Sequence, residues 1–289
     1  MDGYTLMHEH TTIDLSGVKA DTDCKLDCKE ETIKEYRQLY LLGVRTIVDV
    51  TAEGMGRNTA YVKQVEKETG IKIIHSTGFY KEPFLPSRVY EMNVSQIADF
   101  MIREILEGID GKVKAGMIGE IGTSKNEMKP AEKKVFDAAV IAARETKRPI
   151  YTHTTLGTYA LEQAKFFEKE GTDMSRVVIG HVDLSGNLEY IREVLKTGAV
   201  VGFDTIGKNV YLEDKKRIEF IRELEQAGLL NQVVLSLDLT RKSHLQYKGG
   251  IGYIYLFEKF LPELRSAGVS ENSINQMLVE NPKRILGGI

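Results

Sequence analysis

Short apolar, β-branched runs alternate with longer amphipathic stretches along the whole chain, and no other feature constrains the fold as tightly. Eight runs read as strands, at residues 4–7, 46–51, 71–76, 115–121, 149–154, 177–182, 199–203 and 233–239. Several are almost continuously apolar, as parallel strands covered on both faces must be. Between them, residues 30–42 place Ile33, Tyr36, Leu39 and Tyr40 on one helical stripe. Residues 94–109 repeat the pattern with Ile97, Met101, Ile105 and Leu106, and 131–145, 159–169, 187–196, 214–227 and 255–266 behave alike. Pro130 suits a first helical turn, Ser270 precedes a helical run, and Asn281-Pro282 reads as an N-cap followed by the first helical residue.

Eight strand–helix alternations in 289 residues predict an α/β fold of the (β/α)8 TIM-barrel type, which usually needs about 250 residues. No linker or repeat divides the chain, so residues 1–289 read as one domain. An open doubly wound sheet would gather its chemistry at one crevice. Here polar outliers fall at the ends of many strands. The 39 basic and 42 acidic side chains leave a net charge of −3, without the basic surface that general nucleic-acid binding needs. No apolar run approaches the ~20 residues of a membrane span. The first residues lack the charged and apolar regions of a leader, so the expectation is a cytoplasmic protein, monomer or homodimer, acting on a small molecule. Cys24 and Cys28, the only cysteines, read as two reduced loop thiols.

The chemistry lies in the histidines. Of six, His8 and His10 end the first strand, His153 the fifth and His181 the sixth, while Asp238 ends the eighth. In a barrel these ends meet on one rim, where active sites are built. Side chains alternate along a strand, so His8 and His10 share a face and Glu9 takes the other, with a cation as its expected partner. Glu120 interrupts the apolar fourth strand, which is costly unless the carboxylate is paired or binds metal. Imidazoles with carboxylates suit zinc, iron, nickel or cobalt. His75 and His244 have no such strand-end pattern and read as structural or peripheral.

This order of ligands is similar to that of the amidohydrolase superfamily, and within it the chain resembles the phosphotriesterase family. The resemblance rests on Leu6-Met7-His8-Glu9-His10, Gly56-Arg57-Asn58, Ser76-Thr77-Gly78-Phe79-Tyr80, Ala115-Gly116-Met117-Ile118, Thr152-His153-Thr154, Ile179-Gly180-His181 and Glu280-Asn281-Pro282-Lys283-Arg284-Ile285-Leu286. It implies two divalent metal ions, zinc in most members, bridged by Glu120 and hydroxide. His8, His10 and Asp238 would bind one ion, and His153 and His181 the other. The family's bridging lysine aligns with Gly119, so Glu120 is its substitute, and the Asp–His relay of true phosphotriesterases aligns with Leu184 and Thr205. Tyr80 matches a tyrosine that lactonase relatives place beside the metal.

The resemblance and the site chemistry together imply a hydrolase in which metal-bound hydroxide attacks a carboxylic ester or lactone, with Asp238 accepting the proton and Tyr80 orienting the substrate. Lys208, Arg241 and Lys242, in loops after strands seven and eight, are the expected anchors for a phosphate or carboxylate, as on a phosphorylated sugar lactone. The alternatives are a phosphoester hydrolase with weak triesterase activity and a metal- or ligand-binding protein without catalysis.

Overall fold

The computed structural model describes residues 3–287. Eight parallel strands run in chain order around a nearly closed barrel: β1 (Tyr4–Glu9), β2 (Val44–Asp49), β3 (Lys72–Thr77), β4 (Met117–Thr123), β5 (Ile150–Thr154), β6 (Val177–Ile179), β7 (Val200–Phe203) and β8 (Val233–Leu235). The predicted TIM barrel is therefore the observed fold. Its lower interior is filled by one residue from each strand: Met7, Val48, Ile74, Met117, Tyr151, Val178, Val200 and Val234. Ile285 and Leu286, from the helix Asn281–Leu286, close the base of that layer. The larger apolar core lies outside, between sheet and helices, as the near-continuous apolar strands demand.

The seam between β1 and β8 is not a regular ladder. The His8 amide donates to Ser236 Oγ at 2.9 Å, and the amides of Leu237 and Leu239 donate to the two Glu9 carboxylate oxygens at 2.8 and 3.4 Å. Glu9 was expected to meet a cation; instead it is fully buried and satisfies orphan backbone donors where β8 ends. Burial pushes its pKa up to about 8, against the opposing pull of the Leu237 N–H.

Seven expected helices are present with ends shifted by a few residues, among them Lys29–Leu41, Val94–Leu106 and Pro130–Thr146. The helix Thr59–Thr69 was missed, because its buried stripe is only Val62, Val65 and Thr69. Its cap was the available signal: Asn58 Oδ1 accepts from the Tyr61 amide at 3.0 Å. Ser270 caps as expected, accepting from the Ser273 amide at 3.2 Å. Asn281 does not cap. Its backbone is already helical, and its Nδ2 donates to the carbonyls of Leu230 and Val233 at 2.7 and 2.6 Å, tying the last helix to β8.

Candidate metal centre

The strand order brings His8, His10, Glu120, His153, His181 and Asp238 together at the C-terminal mouth, above the apolar layer. Three overlapping groups of ligand atoms form there, each lying within 4.8 Å: His8 with His10 and Glu120; His8 with His181 and Asp238; Glu120 with His153 and His181. Two ligands are not on the strands predicted for them. β6 stops at Ile179 and β8 at Leu235, and His181 and Asp238 follow in left-handed turns, with φ of 58° and 52°. His and Asp are among the non-glycine residues that enter this region most readily.

Glu120 sits between the two ligand sets. Its Oε1 lies 2.6 Å from His153 Nδ1 and 3.4 Å from His181 Nε2, while its Oε2 lies 3.8 and 3.7 Å from the Nε2 atoms of His8 and His10. Asp238 Oδ1 approaches His8 and His10 Nε2 at 3.6 and 3.3 Å, and its Oδ2 meets Lys208 Nζ at 2.5 Å. Position 119 admits only glycine: with φ at 132°, an added Cβ would stand 2.0 Å from the Tyr151 carbonyl oxygen. A lysine at that place is therefore excluded on this backbone, and the carboxylate must come from the next residue.

Neighbours fix which imidazole nitrogens face inward. Thr51 Oγ1 donates to the Thr12 carbonyl, so at 2.9 Å it can only accept from His10 Nδ1–H, leaving His10 Nε2 with a free lone pair. Asp204 does the same for His181: its Oδ1 accepts from the Nδ1–H at 2.7 Å and from the His181 amide at 2.9 Å. Tyr151 OH holds the other Asp204 oxygen at 2.7 Å. A carboxylate behind a ligating histidine orients the ring and raises its basicity.

The electrostatics express crowding of buried carboxylates and imidazoles. Burial works against the Glu120 charge, but His153 and His8 outweigh it and hold the carboxyl well below its usual range. Burial pushes His153 down to about 4, despite Glu120 beside it. Asp204 is held at about 2, because His181 overcomes the cost of its burial. His8 is fully buried, and neither ring nitrogen has a hydrogen-bond partner. Its Nε2 faces Glu120 and Asp238 and its Nδ1 faces Asp204 at 3.4 Å, and orphaned nitrogens among carboxylates make a donor set that fits divalent cations.

A cavity of ≈ 240 Å³ opens above these groups. Tyr80 lines it, with its hydroxyl 3.2 Å from the ring nitrogens of His153. Leu184 and Thr205 line it as well, so no Asp–His relay stands there. Of the three expected anion anchors, only Lys208 reaches the cavity, and its ammonium is held by Asp238. Arg241 is not brought in: it pairs with Asp21 at 2.6 Å and Asp23 at 3.5 Å. Lys242 pairs with Asp27 at 2.7 Å, so both cations clamp one rim loop to another. His75 and His244 lie outside the ligand groups.

Asp204 was missed as a site residue, although a carboxylate ending the apolar 199–203 run is the same signal that marks Glu120. Lys19 and Lys81, which line the cavity, carried no signal in the sequence.

The chain matches known proteins over nearly its whole length. Residues 1–286 match the Phosphotriesterase family. The chain is 47% identical over 283 residues to the phosphotriesterase homology protein of Escherichia coli, covering 98% of this chain and 97% of that one. A crystal structure of that protein, complexed with phosphate in its active site, superposes with a TM-score of 0.97 over 99% of both chains, at 46% identity. An aryldialkylphosphatase of Saccharolobus solfataricus is 33% identical, covering 98% of this chain and 94% of its own. A lactonase from Listeria monocytogenes aligns with a TM-score of 0.93 at 32% identity, over 98% of this chain and 94% of that one. Barrel, strand-end ligands and a full-length match coincide, and this chain belongs to the phosphotriesterase family of metal-dependent hydrolases.

Proposed function

We propose that residues 1–289 act as one catalytic domain that hydrolyses a carboxylic ester or lactone with two divalent metal ions, zinc being the natural candidate. The observation that carries this reading is the placement of Glu120, with one oxygen toward His153 and His181 and the other toward His8 and His10. Each side then has its own imidazole pair, and Asp238 completes the His8–His10 side. Divalent ions held by these residues would supply Lewis acidity toward a substrate oxygen and would lower the pKa of water toward neutrality.

The chain's own residues supply the rest. Asp238 faces His8 and His10 with one oxygen and Lys208 with the other and lines the cavity, which places it as the proton acceptor beside the reacting centre. The buried Tyr80 hydroxyl is kept neutral by its apolar surroundings, its pKa well above the ordinary value, and so donates a hydrogen bond to a substrate oxygen. Ile13, Leu15, Met55 and Phe84 dry the walls. Lys208 holds Asp238 in place and, by its charge, favours the ionised carboxylate.

A phosphoester is the second reading, favoured by the phosphate held in the active site of the Escherichia coli relative. Leu184 and Thr205, where a relay would stand, argue for slow triester turnover. The test is metal analysis with initial rates on lactones, aryl esters and phosphoesters, before and after chelation. Two ions per chain and chelator-sensitive lactone turnover above phosphoester turnover support the proposal. Two bound ions without turnover on any of the three would reduce the protein to a metal binder.

A further inference from the structure

The positive charge in and around the cavity is unevenly committed. On the β7–β8 side, Lys208, Arg241 and Lys242 all meet carboxylates. On the β1–β3 side, Lys19 and Lys81 also line the cavity, and among the described residues no carboxylate lies within 4 Å of either ammonium. Lys19 ends the helical turn Ser16–Lys19 at the exposed rim, and half-buried Lys81 follows Tyr80 directly.

Lys81 is not a loose surface side chain. The Tyr80 carbonyl accepts from the Gly122 amide at 2.9 Å, and the Glu82 amide donates to Glu132 Oε1 at 3.2 Å, so the backbone on both sides is pinned to β4 and the helix beyond it. The ammonium rests 5.7 and 5.6 Å from the ring centroids of Tyr80 and Phe84 and donates to the Glu82 carbonyl at 3.1 Å. Glu132, whose charge acts on it most strongly among the acids, is spent on the amides of Glu82, Ser124 and Lys129 and on the Ser124 hydroxyl. Glu120 belongs to the ligand set. Burial draws the Lys81 pKa down; the more distant charges of Glu132 and Glu120 oppose that shift, and those of Lys129 and Lys19 add to it. An ammonium under-neutralised in a partly dry cavity is a site for an anion.

We propose that Lys81, assisted by Lys19, binds an anionic group on the substrate remote from the bond that is cleaved, and so selects a carboxylated or phosphorylated substrate over a neutral one. This rests on the hydrolase reading for the bond cleaved, but not for the binding itself. The anion sits toward β1 and β3, opposite the loops after β7 and β8, whose cations are occupied.

Calorimetric titration of the metal-loaded protein tests this with glycerate, erythronate and gluconate, each with and without a terminal phosphate, and with glucarate as the carboxylate arm. The wild type should prefer, in at least one pair, the member that carries a second, terminal anion by roughly 10- to 100-fold. Lys81→Met should bring that ratio close to one, Lys19→Met should lower it partly, and Lys242→Met should leave it intact. On lactones, Lys81→Met should raise KM for the anionic substrate with little change in kcat, and leave the neutral substrate alone. Equal binding of every pair by the wild type, or an undiminished ratio in Lys81→Met, overturns the proposal. Anion preference without turnover of any lactone overturns the hydrolase reading and leaves the clamp standing. Turnover without anion preference does the reverse.

Discussion

The barrel interior holds two layers that obey different rules. The lower layer takes one side chain from each of eight strands, all apolar except for the Tyr151 hydroxyl, which reaches up to Asp204. The upper layer, a few ångströms along the same strands, holds four imidazoles and three carboxylates with little access to water. The lower layer is held by burial, which is non-directional and tolerates exchange of similar volumes. The upper layer would be prohibitive without exact partners, because a buried charge left alone costs several kcal/mol. Stability is therefore concentrated below and chemistry above, with Tyr151 joining them.

The largest test of this division is Glu120→Ala. It removes the group shared by both ligand sets, so metal content should fall below one ion per chain and turnover by at least about 1,000-fold, read by metal analysis and kcat/KM. Asp238→Asn comes next: the protein should keep most of its metal and lose roughly 100- to 1,000-fold in kcat, since an amide cannot take up the proton. If this variant retains full activity, the role given to Asp238 is wrong. Asp204→Asn touches neither substrate nor cavity, yet it should weaken metal affinity about 10- to 100-fold by loosening His181, measurable by competition with a chelator.

A smaller effect is expected at His244, outside the ligand groups. Its Nδ1 accepts from the Thr240 amide at 3.2 Å, which requires a neutral ring. Burial, with the charge of Lys208, pushes its pKa down to about 4 from 6.5. Because the folded value is the lower one, its contribution is complete above pH 6.5 and is lost as the pH falls from 6.5 to about 4. With partial exposure discounted, this amounts to on the order of 1–2 kcal/mol. His244→Asn, which keeps an acceptor but no titrating ring, should flatten that part of the stability–pH curve. The smallest change belongs to the lower layer: Ile74→Val should cost about 0.5–1.5 kcal/mol in denaturant unfolding and leave kcat unchanged.

The lower layer was almost wholly legible beforehand, because parallel strands covered on both faces must be apolar along their length. The candidate ligands were legible as a cluster for the opposite reason: His8, His10, Glu120 and Asp238 are polar residues placed where apolar ones belong, and the fold brings them together. The helix Thr59–Thr69 was not, since three buried positions carry too little periodicity. Asp204 showed the right anomaly without a role, because which carboxylate binds metal and which stands behind a histidine depends on angles between strands. Arg241 and Lys242 were read as anion anchors from loop position alone, and their partners Asp21, Asp23 and Asp27 lie more than 200 residues away in sequence.

By itself, the sequence determined the barrel and marked His8, His10, Glu120, His153, His181 and Asp238 as one candidate set. These follow from local rules: periodicity, burial cost, and the chemistry a side chain carries wherever it lands. Only the tertiary structure decided that Glu9 closes the seam, that Asp204 supports His181, and that the cavity's uncommitted positive charge belongs to Lys19 and Lys81. Those facts concern which distant groups neutralise one another, and a charge's partner is set by distance in space, which the chain order does not encode directly.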